Sequence, residues 1–195
     1  MHIADGILPE TACISGYVAS AVGIWLFGRE IEPEEVVRMG LISSAIFVIS
    51  TFHFPVGGTS VHLGLYGLAG ILLGRRSFPV IFTTLLFQAL LFQHGGIFSL
   101  GVNAVNMGIG CLSAALIWRM KSIPEGARAV VAGFVGAMLP ALMMALEFYL
   151  AGYGKGFTVV ATIYSVVSLI EGAVTSFIVA FLRKVKPAVL ARVPA

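Results

Sequence analysis

Ala129-Val130-Val131-Ala132-Gly133-Phe134-Val135-Gly136-Ala137-Met138-Leu139-Pro140-Ala141-Leu142-Met143-Met144-Ala145-Leu146 runs for 18 residues without a charged side chain. A helix rising about 1.5 Å per residue would carry that run across most of the roughly 30 Å of bilayer hydrocarbon. The rest of the chain has the same character. Apolar residues make up 58% of the 195 residues, charged residues 11%, and mean hydropathy is +1.00. Soluble domains carry about 25% charged residues. The sequence predicts an all-α integral membrane protein, with residues 1–195 forming one membrane domain.

Working outward from that run, hydropathy predicts seven apolar segments of near-membrane length, at 11–28, 34–52, 60–74, 77–94, 99–119, 127–151 and 157–182. The expected organisation is an amino-terminal segment 1–10, seven spans, and a basic tail 183–195. The third segment is short, and it follows the irregular Phe54-Pro55-Val56-Gly57-Gly58. Irregular backbone at membrane depth needs protein or a water-filled cavity to satisfy its polar groups, so 53–62 is a candidate site. Pairs of small residues four apart, Gly16/Ser20, Ala19/Gly23 and Gly133/Ala137, predict close helix approach. Cys13 and Cys111 both lie in apolar stretches and read as buried thiols rather than a disulfide. No basic region precedes the first apolar run, so a cleaved leader is not expected and the amino terminus should stay on the mature protein.

Eleven of the twelve basic residues fall in alternate connections and the tail: Arg29, Arg38, Arg75, Arg76, Arg119, Lys121, Arg128, Arg183, Lys184, Lys186 and Arg192. The other side has only Lys155. The excess of basic residues on cytoplasmic loops puts the amino terminus outside and the carboxyl terminus inside. All four histidines, His2, His53, His62 and His94, then fall on the outer side, where a scarce ion would be met.

The chemistry starts at Met1-His2. A free amino terminus, the His2 backbone nitrogen and the near ring nitrogen close two chelate rings on one metal. Such nitrogen-rich, tetragonal sites suit Ni(II) or Cu(II) and admit Co(II). The plainer alternative is a frayed chain end. A fourth nitrogen fixed on the fold is needed, and His62 is best placed; otherwise it is an interfacial histidine bonded to a loop. His53 and His94 could hydrogen-bond a ligand and set its tautomer, or simply pack at the interface. Asn103 and Asn106 share a helix face and could tie the terminal segment down or bond across helices. Glu171, deep in the seventh segment, reads as a carboxylate supporting the ligands, a proton-linked residue or a neutral structural hydrogen-bonder. Glu147 reads as an interfacial residue. The chain has no Gly-Lys-Ser/Thr phosphate loop, His-Glu-x-x-His, Cys-x-x-Cys or nucleophile elbow. It reads as a receptor, not an enzyme, with no nucleic acid among its partners.

Met1-His2-Ile3-Ala4-Asp5-Gly6-Ile7-Leu8, Phe54 to Leu63, Gln88 to Gly96, Gly101 to Gly108 and, more weakly, Glu171-Gly172-Ala173 resemble the CbiM/NikM family. These are the substrate-capture subunits of cobalt and nickel energy-coupling-factor transporters. The resemblance covers nearly the whole chain. It implies a seven-helix bundle whose amino terminus folds back in from outside. It further implies metal ligation by the Met1 amine, the His2 nitrogens and His62. Around such a site His53, Thr59, Ser60, Asn103, Asn106 and His94 are the candidate supporting residues. Co2+ or Ni2+ is the implied cargo. The implied partners are a transmembrane coupling (T) subunit, two ATPase subunits and a small accessory membrane subunit, in the cell membrane of a prokaryote. His53 and Val61 depart from the family's usual Asn and Gly, which leaves cobalt versus nickel open. Two alternatives stand beside this reading: a capture subunit for an organic micronutrient such as a vitamin, and a stand-alone secondary metal carrier.

Overall fold

The computed structural model describes residues 2–56 and 59–191, and for 54–56, 59, 60 and 155 the backbone alone. Helix α1 (Glu10–Phe27) starts after Pro9 and stops at Gly28. Helix α2 (Pro33–Thr51) opens with a capping box in which Glu35 receives the Glu32 N–H at 3.0 Å. A hairpin of β1 (Phe54–Val56) and β2 (Thr59–Val61) follows, pairing Phe54 with Val61 and Val56 with Thr59. Then come α3 (Tyr66–Leu73), a 3-10 turn (Gly74–Arg76) and α4 (Ser77–Phe92). The remainder is α5 (Leu100–Arg119), α6 (Glu125–Leu150), α7 (Gly154–Val185) and the short α8 (Ala188–Ala191).

The architecture is helical, as the composition requires, with that two-stranded hairpin in the Pro/Gly stretch as its one departure among the described residues. Among the described residues, five helical stretches are long and apolar enough to cross a membrane: 10–27, 66–92, 100–119, 125–150 and 156–185. By that measure two of the seven expected segments, 34–52 and 60–74, do not count as separate spans, for two physical reasons. Of residues 60–74 only eight form an α-helix, about 12 Å of rise, and they count together with α4 as the stretch 66–92. Gly74, at φ 55° and ψ −130°, then breaks the path between α3 and α4. Helix α2 has the length, but Glu34, Glu35 and Arg38 crowd its first two turns.

Helix α3 is buried along all eight residues, packed among α5, α6 and α7. Glycine makes this possible. A Cβ on Gly67 would run into the backbone of Ala132 and Gly133, and one on Gly133 into Gly172. On α1, Gly16, Ser20 and Gly23 are buried against α4 and α5, while Ala19 faces outward and takes no part. Of the predicted small-residue pairs, Gly16/Ser20 and Gly133/Ala137 are buried. The opposite face of α1 exposes Ile14, Val18, Val22 and Trp25, and α7 exposes Leu169 and Phe177, as lipid-facing helices do. Cys111 is buried, Cys13 half-buried, and neither is in a disulfide.

The end of the bundle at the α1–α2 and α3–α4 connections is held by Arg76, only 2% exposed. Its guanidinium pairs with Glu35 at 2.9 and 3.1 Å and donates to the carbonyls of Phe27, Arg29 and Glu30. The histidines gather at the opposite ends of α2 and α4.

Candidate metal centre

His62 lies in the extended piece between β2 and α3. What fixes that piece is Glu171, buried on α7. Its carboxylate accepts the backbone N–H of Gly64 and, at 3.1 Å on each oxygen, that of Leu65. Leu65 is left-handed (φ 50°) and caps α3. The carboxylate thereby satisfies N–H groups that a helix start leaves without partners. Of the three sequence readings for Glu171, this geometry fits a structural hydrogen-bonder, one that also supports the segment carrying His62. His62 itself is 4% exposed, and its Nδ1 donates to the Leu63 carbonyl at 3.1 Å. A carbonyl can only accept, so Nδ1 carries the hydrogen and the ring's lone pair sits on Nε2.

The amino-terminal segment reaches the same place by a clamp on Ile3, which is fully buried. Asn103 accepts the Ile3 N–H at 2.9 Å and returns a bond to the Ile3 carbonyl at 3.0 Å. Ser99 Oγ donates to that carbonyl at 2.6 Å, and the Asp5 carboxylate accepts the Ser99 N–H at 2.9 Å. Gly96 is required beneath Asp5, because a Cβ there would strike its carboxyl group. Asn106 turns instead to Glu147, at 2.7 Å. Of the paired asparagines, one ties the terminus and the other bonds across helices. Asp5, Ser99 and Gly96 were not singled out as site residues by the sequence reading; the short motif 1–8 and the Gly95-Gly96 pair were their signal.

His94 follows a left-handed turn at Gln93 (φ 51°), where α4 ends and the His94 N–H returns to the Gln88 carbonyl at 3.2 Å. That turn swings its ring onto the other two. Ring centroids are 5.0 Å apart for His2 and His62, 4.2 Å for His2 and His94, and 5.3 Å for His62 and His94. One nitrogen from each of the three lies within 4.8 Å of the others. His53 is exposed, 5.0 Å from His94 between centroids, and bonds through Nδ1 to the Thr51 carbonyl at 3.0 Å. Met1 lies outside the described residues, as do the side chains of Thr59 and Ser60.

His2, His62 and His94 lie outside the five membrane-length helices. Burial, reinforced by the neighbouring imidazoles, pushes His2 and His62 well below the ordinary histidine range. Burial likewise brings His94 down to about 4. All three are therefore neutral at pH 7, the form that binds a transition metal. The buried Nε2 atoms of His2 and His94 have no hydrogen-bond partner among the described residues. Leaving such atoms unsatisfied costs about 1–3 kcal/mol each. A cation between the rings would satisfy Nε2 of His94, while the chelate expected at Met1-His2 would use Nδ1 of His2.

Apolar membrane-length helices with a cluster of neutral imidazoles at one end mark a polytopic membrane protein with a candidate transition-metal site. Residues 2–189 match the CbiM family, described as the cobalt uptake substrate-specific transmembrane region, and the chain belongs to that family. It is 33% identical over 215 residues to the cobalt transport protein CbiM of Sorangium cellulosum, covering 98% of this chain and 95% of that protein. It is 30% identical over 200 residues to a putative fused nickel transport protein, NikMN, of Archaeoglobus fulgidus, covering 97% and 68%. Its fold superposes with a TM-score of 0.81 on a crystal structure described as that of a transition metal transporter, at 24% identity over 95% of this chain and 93% of that one.

Proposed function

We propose that this protein captures Co2+ or Ni2+ on the outer face of a prokaryotic cell membrane, as the binding subunit of an energy-coupling-factor transporter. The ion is held by the Met1 amine, the His2 backbone and ring nitrogens, and His62. The observation that carries this reading is the convergence of His2 and His62, from opposite ends of 60 residues of chain, with Ile3 clamped beside them. Energy comes from two separate ATPase subunits acting through a transmembrane coupling subunit, with a small accessory membrane subunit alongside. The fused architecture named for the Archaeoglobus relative supports partnership with other transport components. Residues 1–195 act as one membrane domain, with seven membrane-embedded segments, the amino terminus outside and the carboxyl terminus in the cytoplasm. His94, Asn103, Thr59 and Ser60 support the ligands, Asn106 acts through its bond to Glu147, and His53, exposed at the edge of the cluster, stays outside the final site.

The test is metal analysis and titration calorimetry of detergent-purified protein with its native terminus. One equivalent of Ni2+ or Co2+ should bind tightly. Two residues added before Met1, or His62→Ala, should abolish tight binding. Unchanged binding with the extension would return the site to imidazoles alone. Binding of a vitamin but no metal would favour the organic-micronutrient alternative, and uptake without ATPase partners would favour the stand-alone carrier.

A further inference from the structure

Beside the three-histidine cluster, between the ends of α2 and α4, lies a chamber of about 480 Å³. Six polar residues, Ser50, Thr51, His53, Gln88, Gln93 and His94, line it together with Phe92. Such a lining is out of place in a lipid-facing crevice. The larger groove along α2 and α4, of about 830 Å³, is bordered mainly by Val36, Met39, Phe47, Val80 and Phe87, as lipid contact requires. At roughly 30 Å³ per water, an ion with six waters occupies on the order of 200 Å³ and fits the chamber.

Gln88 is 2% exposed, and its amide nitrogen is committed to Ser50. Its carbonyl oxygen is buried and has no partner among the described residues. An acceptor of that kind suits the outward-pointing hydrogens of a hydrated cation. His53 and His94 line the chamber together, and exposure falls in one direction along the imidazoles. His53 is exposed and His94 half-buried, while His2 and His62 are 8% and 4% exposed. Successive rings stand 5.0 and 4.2 Å apart from His53 to His94 to His2. Metal–imidazole bonds of about 2.0–2.1 Å let one ion touch two such rings at once. The Thr51 carbonyl takes the His53 Nδ1 hydrogen, so the His53 lone pair is on Nε2.

We propose that this chamber is the ion's way in, with His53 as the docking ligand at its mouth and His94 as the ligand that passes the ion to His2 and His62. The assignment rests on the metal-capture reading above and adds a route and two kinetic roles to it. At each hand-over one nitrogen–metal bond forms as one water–metal or nitrogen–metal bond breaks. The ion keeps its charge, and no electron moves. Gln88 and Ser50 hold the ion's remaining water as it sheds the rest.

A residue on the route but outside the final site changes the barrier and not the end states. Both association and dissociation then slow together. The experiment is stopped-flow absorbance on mixing Ni2+ with full-length, detergent-purified protein carrying its native terminus, followed by chelator-driven release. The variants are His53→Ala, which removes the docking nitrogen, and Thr51→Trp, which fills the chamber while removing no nitrogen ligand. Each should slow association and release by about tenfold, with Kd held within about twofold. The unchanged stoichiometry at equilibrium shows that the variants fold. Rates equal to wild type in both variants would overturn the route. A weakened Kd with faster release in His53→Ala would overturn it too, by making His53 a ligand of the final site. Wild-type protein that takes up neither Ni2+ nor Co2+ would bring down the metal-capture reading itself, a result distinct from the other two.

Discussion

Glu171 and Leu65 are 106 residues apart in sequence, yet the Leu65 N–H lies 3.1 Å from both oxygens of the Glu171 carboxylate. This contact sets where α3 begins, and His62 hangs three residues upstream of it. An acid buried in α7 therefore holds a histidine it never touches.

Replacing Glu171 by Ala strands two buried N–H groups, at a cost of about 1–3 kcal/mol each. Glu171→Ala should lower the melting temperature in detergent and weaken Ni2+ or Co2+ binding by roughly tenfold or more, since 1.4 kcal/mol is a factor of ten. Glu171→Gln keeps an acceptor and should lose much less of both. Equal metal affinity in wild type and Glu171→Ala would mean that His62 does not depend on this cap.

The clamp on Ile3 gives a second prediction. Asn103→Ala removes both side-chain bonds to the Ile3 backbone, though Ser99 still reaches the carbonyl. A loss of about 2 kcal/mol is expected from two buried hydrogen bonds. Limited proteolysis should cut the terminal segment sooner, and metal should bind more weakly while the melting of the bundle changes little.

The dependence on pH separates two ligand sets. With His2 and His62 well below the ordinary range and His94 near 4, ring protonation competes with metal only in strong acid. A site of imidazoles alone would bind almost equally well at pH 7 and pH 6. A site that uses the terminal amine and the His2 amide must release two protons from groups still protonated at neutral pH, the amine titrating near 7.7–8.0. Lowering the pH returns those protons, so affinity should fall by up to about 100-fold per pH unit below neutrality. Titration calorimetry in buffers of different ionisation enthalpy would count the protons released.

Arg76 supplies a control far from the histidines. Removing one partner of a buried pair costs about 3–5 kcal/mol, somewhat less here because Glu35 is 21% exposed. Arg76→Ala should therefore destabilise the fold by about 3 kcal/mol, and Arg76→Lys by less, since a lysine cannot supply the guanidinium's fork of donors. Metal affinity of the folded fraction should stay at the wild-type value. A selective loss of binding would show that the two ends of the bundle communicate.

Much of this was legible in the sequence. The apolar runs located the long helices to within a few residues, and the polar residues stranded in or beside them, His62, Asn103 and Glu171, are the ones the fold uses. Two things hydropathy could not reveal. The third apolar run looked like a shortened span, because a composition window cannot see the break at Gly74 or the hairpin before α3. Asp5 and Ser99 lack any periodic signal, since they act through a fold-back that only tertiary structure creates. His94 was placed at the right end of the molecule but not against His2, because its approach depends on a left-handed turn at a glutamine, which carries no glycine to announce it.

The burial of α3 on every side also limits how the site can work. Its backbone meets that of α6 at Gly67 and Gly133, and its start is fastened to α7, so displacing His62 would tear open the densest part of the protein. The anvil stays put. Under the proposed capture role, cargo would be let go by shifting the lighter pieces leaning on it, the clamped chain start and the turn after α4, and a partner that drives unloading would push there.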